Sequence, residues 1–438
     1  MLAAAALLLG LGSGMPAVAA PDPALRFPTP NAVLLGTTPL IGEIDRGALL
    51  SGVTVFVAAG LDRVPVNRSG VAALLAECVL RTPVGGIPLR EAVAARGGSV
   101  GYTVDARSVR YSLEGRSADL PDLLGLFGNA LRSPDFSTAT VAAGRAALIG
   151  KIDQSDADPL AVGIQMFRQA YYMAGVGAPA LGTAAGLAQL GPAELRAYFA
   201  ATYERRAVAV SSVGSAVPEL AGAVRTLVAG LPDGALAAGS ERANTLSVQA
   251  PRIVAHRDVA APWIVLGFAA PSPDSSDFGP MLVVESIMSG DFFNRTSVTT
   301  LGDVEKAIGA VYLYDAKPAG MALYVNGSIV DPSLALREIL IASRSLAAKP
   351  VTAAALLHFK AAARGQFLAD AINLSNRSYL LGTFASAGLG DDPINAALVA
   401  LDRTTPADVQ RVAKRYLQRY IVALVLPRDR PTTVSSSP

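Results

Sequence analysis

One order of elements occurs twice along this chain, and that repetition restricts the fold more than any single motif. In the first half, Leu49 to Ala59 reads as an apolar strand, and Val71 to Leu80 and Pro88 to Arg96 read as helices. Gly97-Gly98 ends the second of these, glycine supplying the positive φ of a helix C-terminus. Val100 to Val104 and Val109 to Glu114 alternate like paired strands. Helical patterns follow at Leu120 to Leu131, Thr138 to Ile152, Pro159 to Met173 and Pro192 to Tyr203, and Ala207 to Val213 closes the unit as a strand. The acidic pair Asp156 and Asp158, just before Pro159, reads as a helix N-terminus.

The second half repeats this order. Trp263 to Ala269 is a strand, Phe278 to Met288 a helix, and Ala310 to Tyr314 and Ala322 to Ile329 are strands. Helical patterns cover Pro332 to Leu346, Ala353 to Leu368, Ala371 to Ala387 and Pro406 to Tyr416, and Ile421 to Leu426 is the last strand. The expected organisation is a domain over 33–228, a Gly/Ala/Ser/Asn-rich linker over 229–250, a domain over 251–430 and a disordered tail over 431–438. The fold class is α+β, in two units that share one order of elements.

Composition agrees with this division. A chain of 438 residues, 51% hydrophobic and 16% charged, can bury two large cores. Its net charge of +2, without a basic run, excludes a nucleic-acid surface. Residues 1–20 contain an apolar stretch and a small-residue site, Ala17-Val18-Ala19, which predict a signal peptide and a periplasmic location. No Lys or Arg precedes that stretch, and it is too short and too broken by Gly and Pro for an integral membrane span. The single cysteine, Cys78, cannot form an internal disulfide and falls on an apolar helix, where inert burial is expected.

That helix is also where chemistry would be sought. Gly70-Val71-Ala72-Ala73-Leu74-Leu75-Ala76-Glu77-Cys78 follows a strand and the turn Asn67-Arg68-Ser69. With Pro88 to Thr103, Ala130-Leu131-Arg132-Ser133-Pro134-Asp135-Phe136, Leu181-Gly182-Thr183, Leu187 to Tyr203 and Ala207 to Gly214, it resembles the insulinase/pitrilysin zinc peptidases, in particular their processing-peptidase-like branch. The resemblance covers the first half well and the second more loosely. It implies two homologous domains, each a mostly antiparallel sheet flanked by helices, and a chamber for unfolded peptides enclosed by two such chains or by one double-length chain.

The catalytic residues do not carry over. The family motif is H-x-x-E-H, two ligands four apart on one helical face with a carboxylate base between them. Here Ala73 and Glu77 stand at the ligand positions and Ala76 at the base. Gly150 and Lys151 stand where the resemblance puts the distal glutamate ligand. Glu77 is expected to reach solvent or pair with an arginine. His256 and His358 are far apart and read as ordinary surface or packed residues. No cofactor, metal ligand or catalytic residue is therefore assigned, and neither G-x-S-x-G nor a phosphate loop offers another chemistry.

What the resemblance leaves is substrate contact. The family's substrate-binding Arg and Tyr fall at Glu305 and Tyr312, with Tyr314 and Arg295 as weaker substitutes. Gly101, Tyr102 and Thr103 lie on the edge strand that pairs with an extended peptide, an interaction carried by backbone groups. The expectation is a non-catalytic subunit that helps hold peptides beside a zinc-bearing insulinase-type partner. The rival readings are a peptidase active alone through unrecognised residues and an envelope or complex scaffold of the same fold.

Overall fold

The computed structural model describes residues 26–172, 175–234, 252–289, 308–326 and 332–428. The leader, most of the linker, the tail, Arg295 and Glu305 lie outside them. The chain opens with a hairpin that apolar periodicity does not reveal, β1 (Asn31–Leu35) and β2 (Thr38–Ile44), turning at Gly36 with φ 67°. There follow β3 (Leu50–Val57), α1 (Val71–Arg81), α2 (Leu89–Ala94), β4 (Ser99–Val104), β5 (Val109–Arg116) and α3 (Leu120–Arg132). Next come α4 (Thr138–Ala157), α5 (Pro159–Tyr171), α6 (Ala184–Ala188), α7 (Pro192–Thr202), β6 (Val208–Gly214) and α8 (Val217–Ala229). The six strands form one sheet in the order β1-β2-β6-β3-β5-β4, in which only β2 and β6 are parallel.

The second half contains β7 (Arg252–Arg257), β8 (Trp263–Ala270), α9 (Phe278–Ser289), β9 (Ile308–Leu313) and β10 (Ala319–Asn326). It continues with α10 (Pro332–Ala348), α11 (Ala353–Asp370), α12 (Leu374–Ala387), α13 (Pro393–Asp402), α14 (Pro406–Tyr416) and β11 (Tyr420–Pro427). Its sheet runs β9-β10-β8-β11-β7, with β7 and β11 the parallel pair. Traced from β7, this is the order of β2 to β4 in the first sheet, with the parallel pair in the same place. The repeat seen in sequence is thus a repeat of topology, in two mixed, mostly antiparallel sheets.

Element limits differ from the sequence reading where a neighbour decides them. β10 begins at Ala319 because Ala319 and Gly320 pair with Ala270 and Ala269, although neither residue favours a strand. α12 begins at Leu374 because Asn373 caps it, accepting from the Asn376 N–H. α5 starts as expected, with Asp158 accepting from the Leu160 N–H at 2.9 Å.

Each sheet borrows a helix from the other half. In β3, Val53, Val55 and Val57 face the first core, while Phe56 and Gly52 face α12. A Cβ on Gly382 of α12 would stand 2.3 Å from the Phe56 ring, so only glycine lets that helix seat. In β8, Ile264, Leu266 and Phe268 face the second core, whereas Val265 and Gly267 meet α5. A Cβ on Gly267 would stand 1.9 Å from Phe167 of α5, and one on Gly163 of α5 would stand 2.5 Å from Val265. Phe167 is fully buried in this contact, worth about 2–3 kcal/mol relative to exposure.

Candidate functional site

Helix α1 is enclosed on all sides: Val71 to Leu80, Glu77 included, are all buried. Its start is shaped by Gly70, at φ 90°, whose Cα would lie 2.4 Å from a Cβ on Gly182. The turn at Leu181-Gly182 therefore lies directly against the helix start, and both positions need glycine. Ala73 and Ala76 have no exposure and offer no ligand atom.

Glu77 does not reach solvent, which corrects half of the expectation for it; its side chain has no exposure and is held by four groups. Oε1 accepts from Arg81 Nε at 3.1 Å and lies 3.7 Å from Arg90 Nη1. Oε2 accepts from Lys151 Nζ at 2.9 Å and from the Tyr102 hydroxyl at 3.1 Å. Burial pushes the Glu77 carboxyl up, but the Lys151 hydrogen bond and charge, with Arg90 and Arg81, outweigh it and hold the group below its usual range. Burial beside this carboxylate pushes the Tyr102 hydroxyl up. Burial likewise raises the Cys78 thiol to about 12, leaving no thiolate near neutrality.

Zinc does not fit these residues. A catalytic site needs three protein ligands and an open position. Only Glu77 carries a donor atom, and the Lys151 ammonium is bonded to its outward oxygen. Among the described residues, no three His, Cys, Asp or Glu side chains are placed to hold a metal ion. His256 Nδ1 lies 3.4 Å from the Pro427 carbonyl oxygen on the surface, and the His358 ring packs against Phe359. What the arrangement provides is a buried anion held by three cations and the Tyr102 hydroxyl.

The sequence reading assigned no role to Lys151, Arg81 or Arg90. One signal was available. The resemblance puts positions 77 and 151 around a single ion, so they must be neighbours, and here they carry opposite charges.

Gly101, Tyr102 and Thr103 lie on β4, the last strand of the first sheet, paired on one side only with β5. Its other side is a free edge among the described residues. Tyr102 joins that edge to the Glu77 cluster, its ring 4.9 Å from Lys151 Nζ. Tyr312, on β9 at the edge of the second sheet, is elsewhere. It is buried, stacks on Tyr314 at 4.5 Å and donates to the Pro271 carbonyl at 2.5 Å.

A cavity of about 590 Å³ lies away from α1, at the seam between the halves. Asp105, Arg107 and Ser108 from the β4–β5 turn line it together with Asp315, Lys317 and Tyr379. The Asp105 carboxylate pairs with Arg110 at 3.0 Å, and Asp315 accepts from the Ala106 N–H at 2.7 Å, fastening one half to the other. Burial also raises the Asp62 carboxyl there to about 6. Among the described residues, no helix is long and apolar enough to cross a membrane.

Comparison with known proteins places this geometry in a fold. No family model matches the chain, and no curated protein matches it by sequence. Solved structures do. A protease from Helicobacter pylori superposes with a TM-score of 0.80 at 16% identity, over 92% of this chain and 100% of that one. The inactive domain of a peptidase M16 from Pseudomonas fluorescens gives 0.78 at 14% identity, over 91% and 98%. A chain of complex III2 from Candida albicans gives 0.74 at 13%, over 90% and 95%. The fold is that of the M16-like peptidases, an α+β fold of two domains.

Proposed function

We propose that this chain is a non-catalytic member of the insulinase-type, or M16, peptidases, and that it holds peptides in a chamber formed with a zinc-bearing partner chain. One observation carries the reading: Glu77 and Lys151, at positions the resemblance matches to metal ligands, form an ion pair beside a strand that is unpaired on one side among the described residues. The inactive M16 domain among the similar structures supports it. The apolar segment within residues 1–20 supports export to the periplasm.

The test combines this chain with an M16-type chain of the same genome that carries H-x-x-E-H. Sedimentation should show a complex, and the pair should cleave unfolded peptides that this chain alone leaves intact. Two independent monomers would sink the proposal. So would stoichiometric zinc and chelator-sensitive cleavage in the isolated chain. Amino-terminal sequencing of the periplasmic fraction checks export.

A structural role in a larger complex is the second reading, favoured by the likeness to the complex III2 chain. Co-purification with a membrane complex, together with no peptide binding, would select it.

A further inference from the structure

The Glu77 cluster is unbalanced in charge. Arg81, Arg90 and Lys151 lie 3.1, 3.7 and 2.9 Å from the Glu77 carboxylate oxygens. Three cations around one carboxylate leave two positive charges in excess. The cations are not buried with it: Arg81, Arg90 and Lys151 keep 32%, 47% and 39% side-chain exposure. Arg90 approaches Glu77 at 3.7 Å, an ion-pair distance beyond hydrogen-bond reach.

The cluster adjoins the free edge of β4 through Tyr102, whose hydroxyl shares Glu77 Oε2 with Lys151. A strand added to that edge would run about 4.8 Å away, and alternate side chains would project on the face that Tyr102 uses. One of them would meet the half-exposed cations. A carboxylate there would offset the excess charge through charge-assisted hydrogen bonds, whereas an apolar or basic group would not.

We propose that Arg81, Arg90 and Lys151 form a carboxylate-binding subsite next to β4, which selects acidic side chains or a free C-terminus in peptides paired with that strand. The inference rests on the peptide-holding reading and names its substrate class. The two sources of the carboxylate share one chemistry and are separated by experiment.

The test measures fluorescence anisotropy of the full chain with four labelled unfolded peptides. Two carry glutamates and two carry glutamines at the same positions, each with a free or an amidated C-terminus. The glutamate or free-acid peptide should bind about five-fold more tightly than its neutral counterpart. Dependence on glutamate alone assigns side chains, and dependence on amidation alone assigns the terminus. Arg90→Gln should reduce the preference with circular dichroism unchanged, and Arg90→Lys should restore it. Arg116→Gln, at an exposed arginine that pairs with Asp119 rather than Glu77, should leave the preference as it was and so exclude general charge attraction. Equal binding of all four peptides overturns the subsite and leaves peptide holding intact, and loss of the preference in Arg116→Gln overturns it likewise. No binding of any peptide overturns both.

Discussion

Replacing Lys151 with methionine removes the ammonium from Glu77 and keeps most of the apolar stem. In the folded chain Lys151 Nζ lies 2.9 Å from a carboxylate with no exposure, while Lys151 itself keeps 39%. Removing one partner of a fully buried pair costs about 3–5 kcal/mol, because the remaining charge is stranded. Here Arg81 and Arg90 stay at 3.1 and 3.7 Å, and Tyr102 still donates at 3.1 Å. Solvent also screens the half-exposed lysine, which brings the expected loss to about 2 kcal/mol. Glu77→Leu acts differently. The three cations it releases are already partly in water and rehydrate, and leucine suits the apolar surroundings, so the loss should stay below about 1 kcal/mol. The double variant should lie near Glu77→Leu alone, with a coupling energy of about 2 kcal/mol.

Urea unfolding followed by circular dichroism at pH 7 measures this, with midpoints compared at constant slope. The pH dependence has a fixed sign. The folded-state Glu77 carboxyl titrates below its unfolded value of 4.5, so its stabilisation is complete above 4.5 and disappears as pH falls through the folded value. The deficit of Lys151→Met should narrow over that acid range. Penalties that simply add, with coupling under about 0.5 kcal/mol, would refute the claim that Glu77 and Lys151 form a stabilising ion pair.

The remaining expectations concern the seam and the cores. Gly267→Ala puts a methyl 1.9 Å from Phe167 and should cost about 2–3 kcal/mol by unseating α5, read from the urea midpoint. Burial raises the Glu43 carboxyl, 3.3 Å from Arg377 of α12, to about 7. Its folded-state value exceeds the unfolded 4.5, so stability present below 4.5 is lost as pH rises through 7. Glu43→Gln should therefore raise the melting temperature relative to wild type at pH 8 and not at pH 4. Cys78, with its thiol at about 12, should resist iodoacetamide at pH 8 until denaturant is added, which mass spectrometry reads directly.

How much was legible follows from the range of each interaction. Helix α14 begins where its sequence pattern does, at Pro406, because Thr405 and Asp408 form a capping box within four residues. The β4–β5 hairpin is readable from alternation because one face of it is buried. The first hairpin escapes that test: Asn31 to Leu34 are exposed on β1, and Gly42 interrupts β2. Ala73, Ala76 and Glu77 could be matched to the motif positions of the resemblance, since each sits in a recognisable local frame. The ion pair at Glu77 could not be read in the same way, because Lys151 lies 74 residues further along.

The sequence by itself determined the identity and order of most elements and the repetition of that order, since capping and alternation act within a few residues. Only the tertiary structure decided that α5 and α12 are exchanged between the halves. Gly163, Gly267 and Gly382 are meaningful only against a partner brought in from far along the chain. It also decided that Glu77 is buried among cations rather than hydrated. A carboxylate's state depends on what surrounds it in space, and that neighbourhood exists only once α1, α4 and β4 have come together.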